Sequence, residues 1–551
     1  MTQPVSYAPR CDIRISGVAL AADVTDQMLS LTVETDLDLA GSFTLVLRNA
    51  DNTLLDSPLL DVGRTVEIHL GYGNDLRPAF LGEIAAIEPS FPSEGPPTVR
   101  VAGYDKSYRM RRTQPEPTAY PLVNDALLAA KIAAENGLIP VVDPTPGLPE
   151  TIPKAESDMA FLKARARKYG FDVYVEWDRL HFHLPRPRTS AVILEWGRSL
   201  IEFAPRISAS GLAGLQVVRD YNQELAQTVH STVLAADFDL PDIMERLGDQ
   251  AVHLLAGLVR KAGRPRQAAA VGNPLDAALL ARSLLTELLE GMYEGRGSCV
   301  GLPELTAGDH VEIRGVGRRF GGTYRARKIT HRLDGGGFTT EFSITQRGQS
   351  SLLGLLRKQM TEEPPPQAQE RFHGVMVGVV AENHELGDRP PRLPLGRVKV
   401  SLPQLSETFV TGWAPCARPM AGQDAGFYAL PELGDQVLVA FENGDLSRPY
   451  VLGALWTAEQ RPPVRNADGR NAVRVIRSRA GHTITFDDSE DGSSLVIEDG
   501  SGSRVSLRAT DGSISVEAGG DLTVKAGGTL TLEAAGGSTK ITMTADKVDV
   551  T

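Results

Sequence analysis

The chain has 551 residues, with 57 Lys and Arg against 69 Asp and Glu and a net charge of −12. That balance argues against nucleic acid or an anionic membrane as a general partner, and 42% hydrophobic with 23% charged residues suits a folded soluble protein of three or four domains. No stretch approaches a membrane span, the N-terminus lacks an apolar core of signal-peptide length, and Cys11, Cys299 and Cys416 form neither a disulfide framework nor a zinc pattern.

Residues 13–109 read as strands, as in SFTLVLR from Ser42 and TVEIHL from Thr65, where apolar and polar side chains alternate. Helical patterns follow over 124–135, closed by Gly137, and over 158–169, with Ser157 as N-cap and Gly170 just past the end. A hairpin is expected over 171–184 around Asp178 and Arg179, a helix over 275–293, and further strands over 311–345. GRTVEIH from Gly63 resembles GDHVEIR from Gly308, 245 positions later, and FLG from Phe80 is echoed by FGG from Phe320. Two matches in the same order predict two related barrels in the first 350 residues. The polar, proline-rich MTEEPPPQAQE at 360–370 predicts a linker. RVKVSLP, GDQVLVAF and YVLGALW, in 397–456, predict a small β-barrel, and 461–470 a second linker.

The tail repeats every eight residues: GSISVEAG from Gly512, GDLTVKAG from Gly520 and GTLTLEAA from Gly528. Ile514, Leu522 and Leu530 recur in one place, Val516, Val524 and Leu532 in another. Glu517, Lys525 and Glu533 fall on the opposite, outward face. Each unit buries three modest side chains and cannot stand alone, so units must stack. One chain could coil as a solenoid, or three chains could each supply one side of a prism. The prism leaves fewer exposed edges and is favoured, with Ile514, Val516, Leu522, Val524, Leu530 and Leu532 as its core. An ordinary hairpin array with glycine turns is the remaining alternative.

FHGVMVG from Phe372, GRVKV from Gly396, LPELGDQVLVAF from Leu430 and ENGDLSRPYVLGALW from Glu442 resemble the OB-fold domain of the VgrG and phage baseplate spike family. RAGHTITFDD from Arg479 resembles that family's entry into its triangular β-helix. GYDK from Gly103, YGF from Tyr169 and HRLDGGGF from His331 resemble phage tail-hub proteins, including the late-control D type. The resemblance implies a mainly β, multidomain homotrimer. It places a duplicated-barrel hub with helical insertions over 1–359, a linker over 360–370, the OB-fold barrel over 371–460, a linker over 461–470 and an intertwined β-helix spike over 471–551. Three copies of two similar barrels would make a ring of six, joining a three-fold spike to a six-fold tube.

The implied role is structural. Such a protein joins the inner tube of a contractile injection system to a membrane-puncturing tip, meets the target membrane only transiently, and needs no cofactor. Its partners would be inner-tube proteins, baseplate components, possible effector cargo and a conical PAAR-repeat tip protein. The tip protein is expected on Lys547, Val548, Asp549, Val550 and Thr551, where strand edges and valines gather. Assembly would occur in the bacterial cytoplasm, followed by incorporation into an extracellular or phage-like particle. A hub with a short spike and no added effector domain leans toward the extracellular type, with a type VI VgrG or contractile phage spike as the alternative. A glycan-active or receptor-binding β-helix is the contrasting class.

Chemistry is sparse. His181 and His183 share a strand face as metal ligands would, but spacing names no third ligand. Asp487, Asp488, Glu490, Asp491 and Asp499 read as a solvated turn before a calcium loop. Gly335, Gly336 and Gly337 fit a hairpin turn, and His482 a structural position. The ten residues 461–470 are too few for the lysozyme domain some phage relatives carry there.

Overall fold

The computed structural model describes residues 8–551 apart from 113–115, 147–148, 187–190, 208–214, 223–226, 235–265, 268–273, 291–292, 345–371, 373, 386–393, 535–538, 544–547 and 551. The expected linker at 360–370 lies outside the described residues. The chain divides into two compact units, Met1–Leu455 and Trp456–Thr551.

The first unit is organised by a thirteen-stranded sheet. Its first part comprises β1 (Pro9–Ile15), β2 (Met28–Asp36), β3 (Ser42–Arg48), β4 (Thr65–Tyr72), β5 (Asp75–Ser90) and β6 (Thr98–Asp105). These pair in the order β2-β3-β6-β5-β4-β1. Alternation does the work: Phe43, Leu45 and Leu47 of β3 and Val66, Ile68 and Leu70 of β4 all point into one core. Gly103 lets β5 and β6 close up, since a Cβ there would stand 2.0 Å from the Glu83 carbonyl oxygen and 2.5 Å from the Phe43 ring.

The later part comprises β7 (Val192–Glu195), β8 (Leu200–Ile207), β9 (Tyr293–Val300), β10 (His310–Arg314), β11 (Gly322–Asp334) and β12 (Gly337–Ile344). Their order, β8-β9-β12-β11-β10-β7, matches the first set strand for strand. The irregularities match as well. A bulge lies between Ile84 and Ala86 on β5 and between Ala326 and Lys328 on β11, and another between Met28 and Ser30 on β2 and between Leu200 and Glu202 on β8. Gly63 N–H bonds the Ile84 carbonyl as Gly308 N–H bonds that of Ala326. The sets differ at one edge, where β1 runs antiparallel to β4 but β7 parallel to β10. They are joined by β11 and β2, with Lys328 through Asp334 opposite Asp36 through Ser30.

Between β6 and β7 sits an αβ insertion with its own core of Leu128, Ile132, Leu162, Leu180 and Phe182. Helix Asp125–Glu135 begins where the Asn124 side chain accepts the Leu127 N–H at 2.9 Å. Helix Asp158–Ala166 stops three residues before the expected Tyr169, and Ser157 holds the N-cap position without a side-chain bond. Strands Asp172–Glu176 and Arg179–His183 make the expected hairpin. Between β8 and β9, hairpin Leu215–Asn222 and Gln227–Leu234 packs against helix Pro274–Glu290 through Val218, Val229, Ala277 and Ala281. That helix was expected to reach Tyr293, which instead opens β9 and packs in the sheet's core beside Tyr324.

The remainder of the unit is a small barrel of strands Lys399–Ser401, Val375–Glu382, Gln436–Phe441 and Pro449–Leu455, with bridges Val398–Ala414 and Ser401–Val410. Val380, Val398, Val400, Phe409, Val437 and Val439 fill it.

The second unit opens with a five-stranded antiparallel meander, Val473–Arg477, Thr483–Asp487, Ser494–Glu498, Arg504–Arg508 and Ile514–Glu517. In the single chain the first octad, from Gly512, supplies the last strand of this meander. The second octad, 520–527, joins no ladder among the described residues. The third enters strand Leu530–Ala534, paired to Thr539–Met543 and through it to Val548–Val550.

Candidate functional site

The αβ insertion is bolted to the sheet at the β2–β3 turn. Lys163 Nζ donates to the carbonyls of Leu37 at 3.1 Å and Asp38 at 2.6 Å, and Arg111 donates to Asp38 O at 2.8 Å. Arg327 Nη2 holds both oxygens of the Asp38 carboxylate at 3.0 and 2.9 Å, and Arg325 pairs with Asp172. Burial pulls the Lys163 ammonium down to about 8, against the attraction of Asp38. Beneath lies Asp105, whose carboxyl burial pushes up although it accepts from Ser107 and from Gly41 N–H at 2.8 Å. These groups fix one domain against another. A cavity of about 60 Å³ between Phe80, Asp105, Tyr174 and Trp177 has room for waters only.

Reactive chemistry is no better served. His181 Nδ1 meets His183 Nε2 at 3.0 Å, His181 stacks on Tyr174, and His183 Nδ1 lies 2.7 Å from Leu184 O. Two imidazoles are thus brought together, and among the described residues no group of three or more His, Cys, Asp or Glu side chains could hold a metal. The acidic residues of the tail are corner pieces: Asp487 accepts from Ser489 N–H and Asp499 from the Ser501 and Ser503 N–H groups. Hydrogen bonds from Ser489 and Ser501 hold those two carboxyls below the usual range. His482 accepts the Gly500 N–H at 3.2 Å, a structural bond. Burial raises the Cys299 thiol to about 12, which leaves it inert.

Uncovered apolar surface is what the molecule does offer. Ile514, Val516, Leu522, Val524 and Leu532 are between 52% and 69% exposed in the single chain, and Leu530 is half-buried. They lie in three successive octads, and none is fully covered by the described residues of its own chain. Of the expected tip residues, Val548, Asp549 and Val550 form an outer strand on Thr539–Met543, while Lys547 and Thr551 lie outside the described residues. A third surface, missed in the sequence, surrounds the hairpin Ala421–Gly422 and Ala425–Gly426 of the small barrel. Met420, Phe427 and Tyr428 stand exposed beside it. The apolar residues flanking AGQDAG were its only signal.

Against known proteins, the sequence pattern of the Alg8 N-terminal domain matches residues 9–335, more than half of the chain. The chain belongs to that family. Residues 376–456, the small barrel, match the type VI secretion system/phage-baseplate injector OB domain. The type VI secretion system spike protein VgrG2a of Pseudomonas aeruginosa is 30% identical over 190 residues, 32% of this chain and 22% of the relative. The actin cross-linking toxin VgrG1 of Vibrio cholerae is 30% identical over 137 residues, 24% of this chain and 11% of the relative. The chain thus spans about a fifth or less of the length of these curated relatives. Among solved structures, a chain of the lidless PdpA-VgrG complex aligns with a TM-score of 0.53 at 9% identity, covering 93% of this chain and 98% of that one. The OB-domain match, the identity to VgrG spike proteins and the shared fold thus make this Alg8-family chain similar to the VgrG and phage-baseplate spike proteins.

Proposed function

We propose that three copies of the chain form the hub and spike of a contractile injection machine, joining the end of an inner tube to a puncturing tip. The observation that carries this reading is the strand-for-strand match of the two halves of the sheet, bulges included. Two like barrels per chain, three times over, give six like units against a six-fold tube. The uncovered faces of the tail and of the Met420–Tyr428 region supply apolar surface for the copies to bury against one another. The role is mechanical, with no catalytic residue and no cofactor. The outer strand Val548–Val550 offers its edge to a tip protein.

Assembly takes place in the bacterial cytoplasm, after which the particle acts outside it. We favour an extracellular, phage-tail-like machine. The identity to type VI spike proteins favours a type VI VgrG as the second reading. Deleting the gene and imaging purified particles tests the role: sheath and tube should persist without a spike. Particles with an unaltered spike would refute it.

A further inference from the structure

Two edges of the sheet are left open, and the joint inside the chain tells how they close. Within the chain, β11 pairs through Lys328–Asp334 with β2. The matched bulges bring Ala86 of β5 onto Lys328, and Glu202 of β8 onto Ser30. The stretch 86–92 therefore stands where β11 meets its neighbour, and β8 stands where β2 does. Among the described residues, neither edge has a strand beside it.

We propose that β5 of one copy of this chain pairs head to tail with β8 of the next, in the register of the internal joint. Carrying the pairs of β11 and β2 across sets Ile87 opposite Ile207, Glu88 opposite Arg206, Pro89 opposite Pro205, Ser90 opposite Ala204 and Phe91 opposite Phe203. The proposal rests on the multi-copy hub argued above and gives the residues by which copies recognise one another.

Charge supports the register. Inside the chain, Lys328 Nζ reaches Glu34 Oε1 at 3.1 Å across the joint. At the corresponding places the open edges carry Ala86 and Arg206, and Thr330 is replaced by Glu88. The internal ion pair has gone and one of opposite polarity has appeared directly across, which also discourages either edge from docking on the internal one. Glu88 and Arg206 are both exposed, Glu88 with Arg100 3.7 Å away.

Burial agrees. Leu333 on β11 is 6% exposed and lies opposite the buried Leu31, whereas Phe91, in the place of Leu333, is 62% exposed. Phe203 waits in the place of Leu31. The prolines explain why the edges do not pair at random: opposite one another, Pro89 and Pro205 have no N–H to give. The joint is then poorer in ladder bonds than the internal one, and side chains carry its selectivity.

The test uses the full chain with Ser90→Cys and Ala204→Cys together. Mild oxidation should link copies covalently into dimers and trimers and no further, whereas either change alone should leave monomers on a denaturing, non-reducing gel. A trimer in native mass spectrometry without such crosslinks would overturn the joint and leave the proposed function standing. A chain that never assembles would overturn the proposed function itself. Arg206→Glu should weaken assembly about tenfold or more, each joint trading attraction for repulsion, and adding Glu88→Arg should restore it. An Arg206→Glu chain that assembles as well as the parent would overturn the register.

Discussion

Acid should destabilise the large sheet of the first unit through His331. Its ring is 2% exposed and sits between two fixed partners, with Nε2 donating to Leu305 O at 3.0 Å and Nδ1 accepting from the Thr340 hydroxyl at 2.9 Å. The Thr340 oxygen is itself held by the Leu302 N–H at 2.8 Å. The neutral ring satisfies all of this, and burial penalises the charged one, so the imidazole is pulled from 6.5 down to about 4. Between those values the unfolded chain binds a proton that the folded chain refuses, so stability falls as the pH falls from 6.5 toward 4. The full shift is worth about 3 kcal/mol, of which about 2.5 kcal/mol is lost by about pH 4.5. His331→Gln keeps a donor and an acceptor but cannot titrate. Hydrogen-exchange protection of β11 and β12, corrected for the intrinsic pH dependence of exchange, should drop in the parent between pH 7 and 4.5 by about 2 kcal/mol more than in the variant. Equal drops would refute the reasoning.

Three further outcomes follow from the same geometry. Leu532→Asp should abolish or sharply weaken assembly, since three carboxylates would meet in a buried layer, while the exposed Glu533→Lys should do little; equal effects in native mass spectrometry would mean the faces are misassigned. Gly103→Ala should destabilise the hub by about 1–3 kcal/mol in urea denaturation, because the new methyl meets backbone as well as a ring, and an unchanged midpoint would contradict the close approach of β5 and β6. Removing residues 547–551 should abolish co-purification of a PAAR-like tip protein while leaving the trimer intact, and unchanged capture would place that partner elsewhere.

Short-range pattern made much of the fold legible. The shared V-E-I points at Val66 and Ile68 on β4 and at Val311 and Ile313 on β10, and all four are buried in equivalent strands. Gly137 announced the end of the first insertion helix because capping is a local matter, whereas the second helix stops at Ala166, short of Gly170. What stayed hidden depends on contacts distant in sequence. The kinship of β2 with β8 is carried by a bulge and a register, with almost no shared residues, so no alignment of letters could find it. The tail is a different case. Its octads alternate as strands do, but whether a strand finds its partner in its own chain or in another is not written in alternation. The uncovered Met420–Tyr428 surface was missed because apolar residues read as core until their neighbours are known.

The account turns on assembly, and native mass spectrometry of the intact chain tests it most directly. A stable species near three times 59.3 kDa that survives mild dissociation is the predicted result. Monomer alone, at micromolar concentration and under mild conditions, would contradict it.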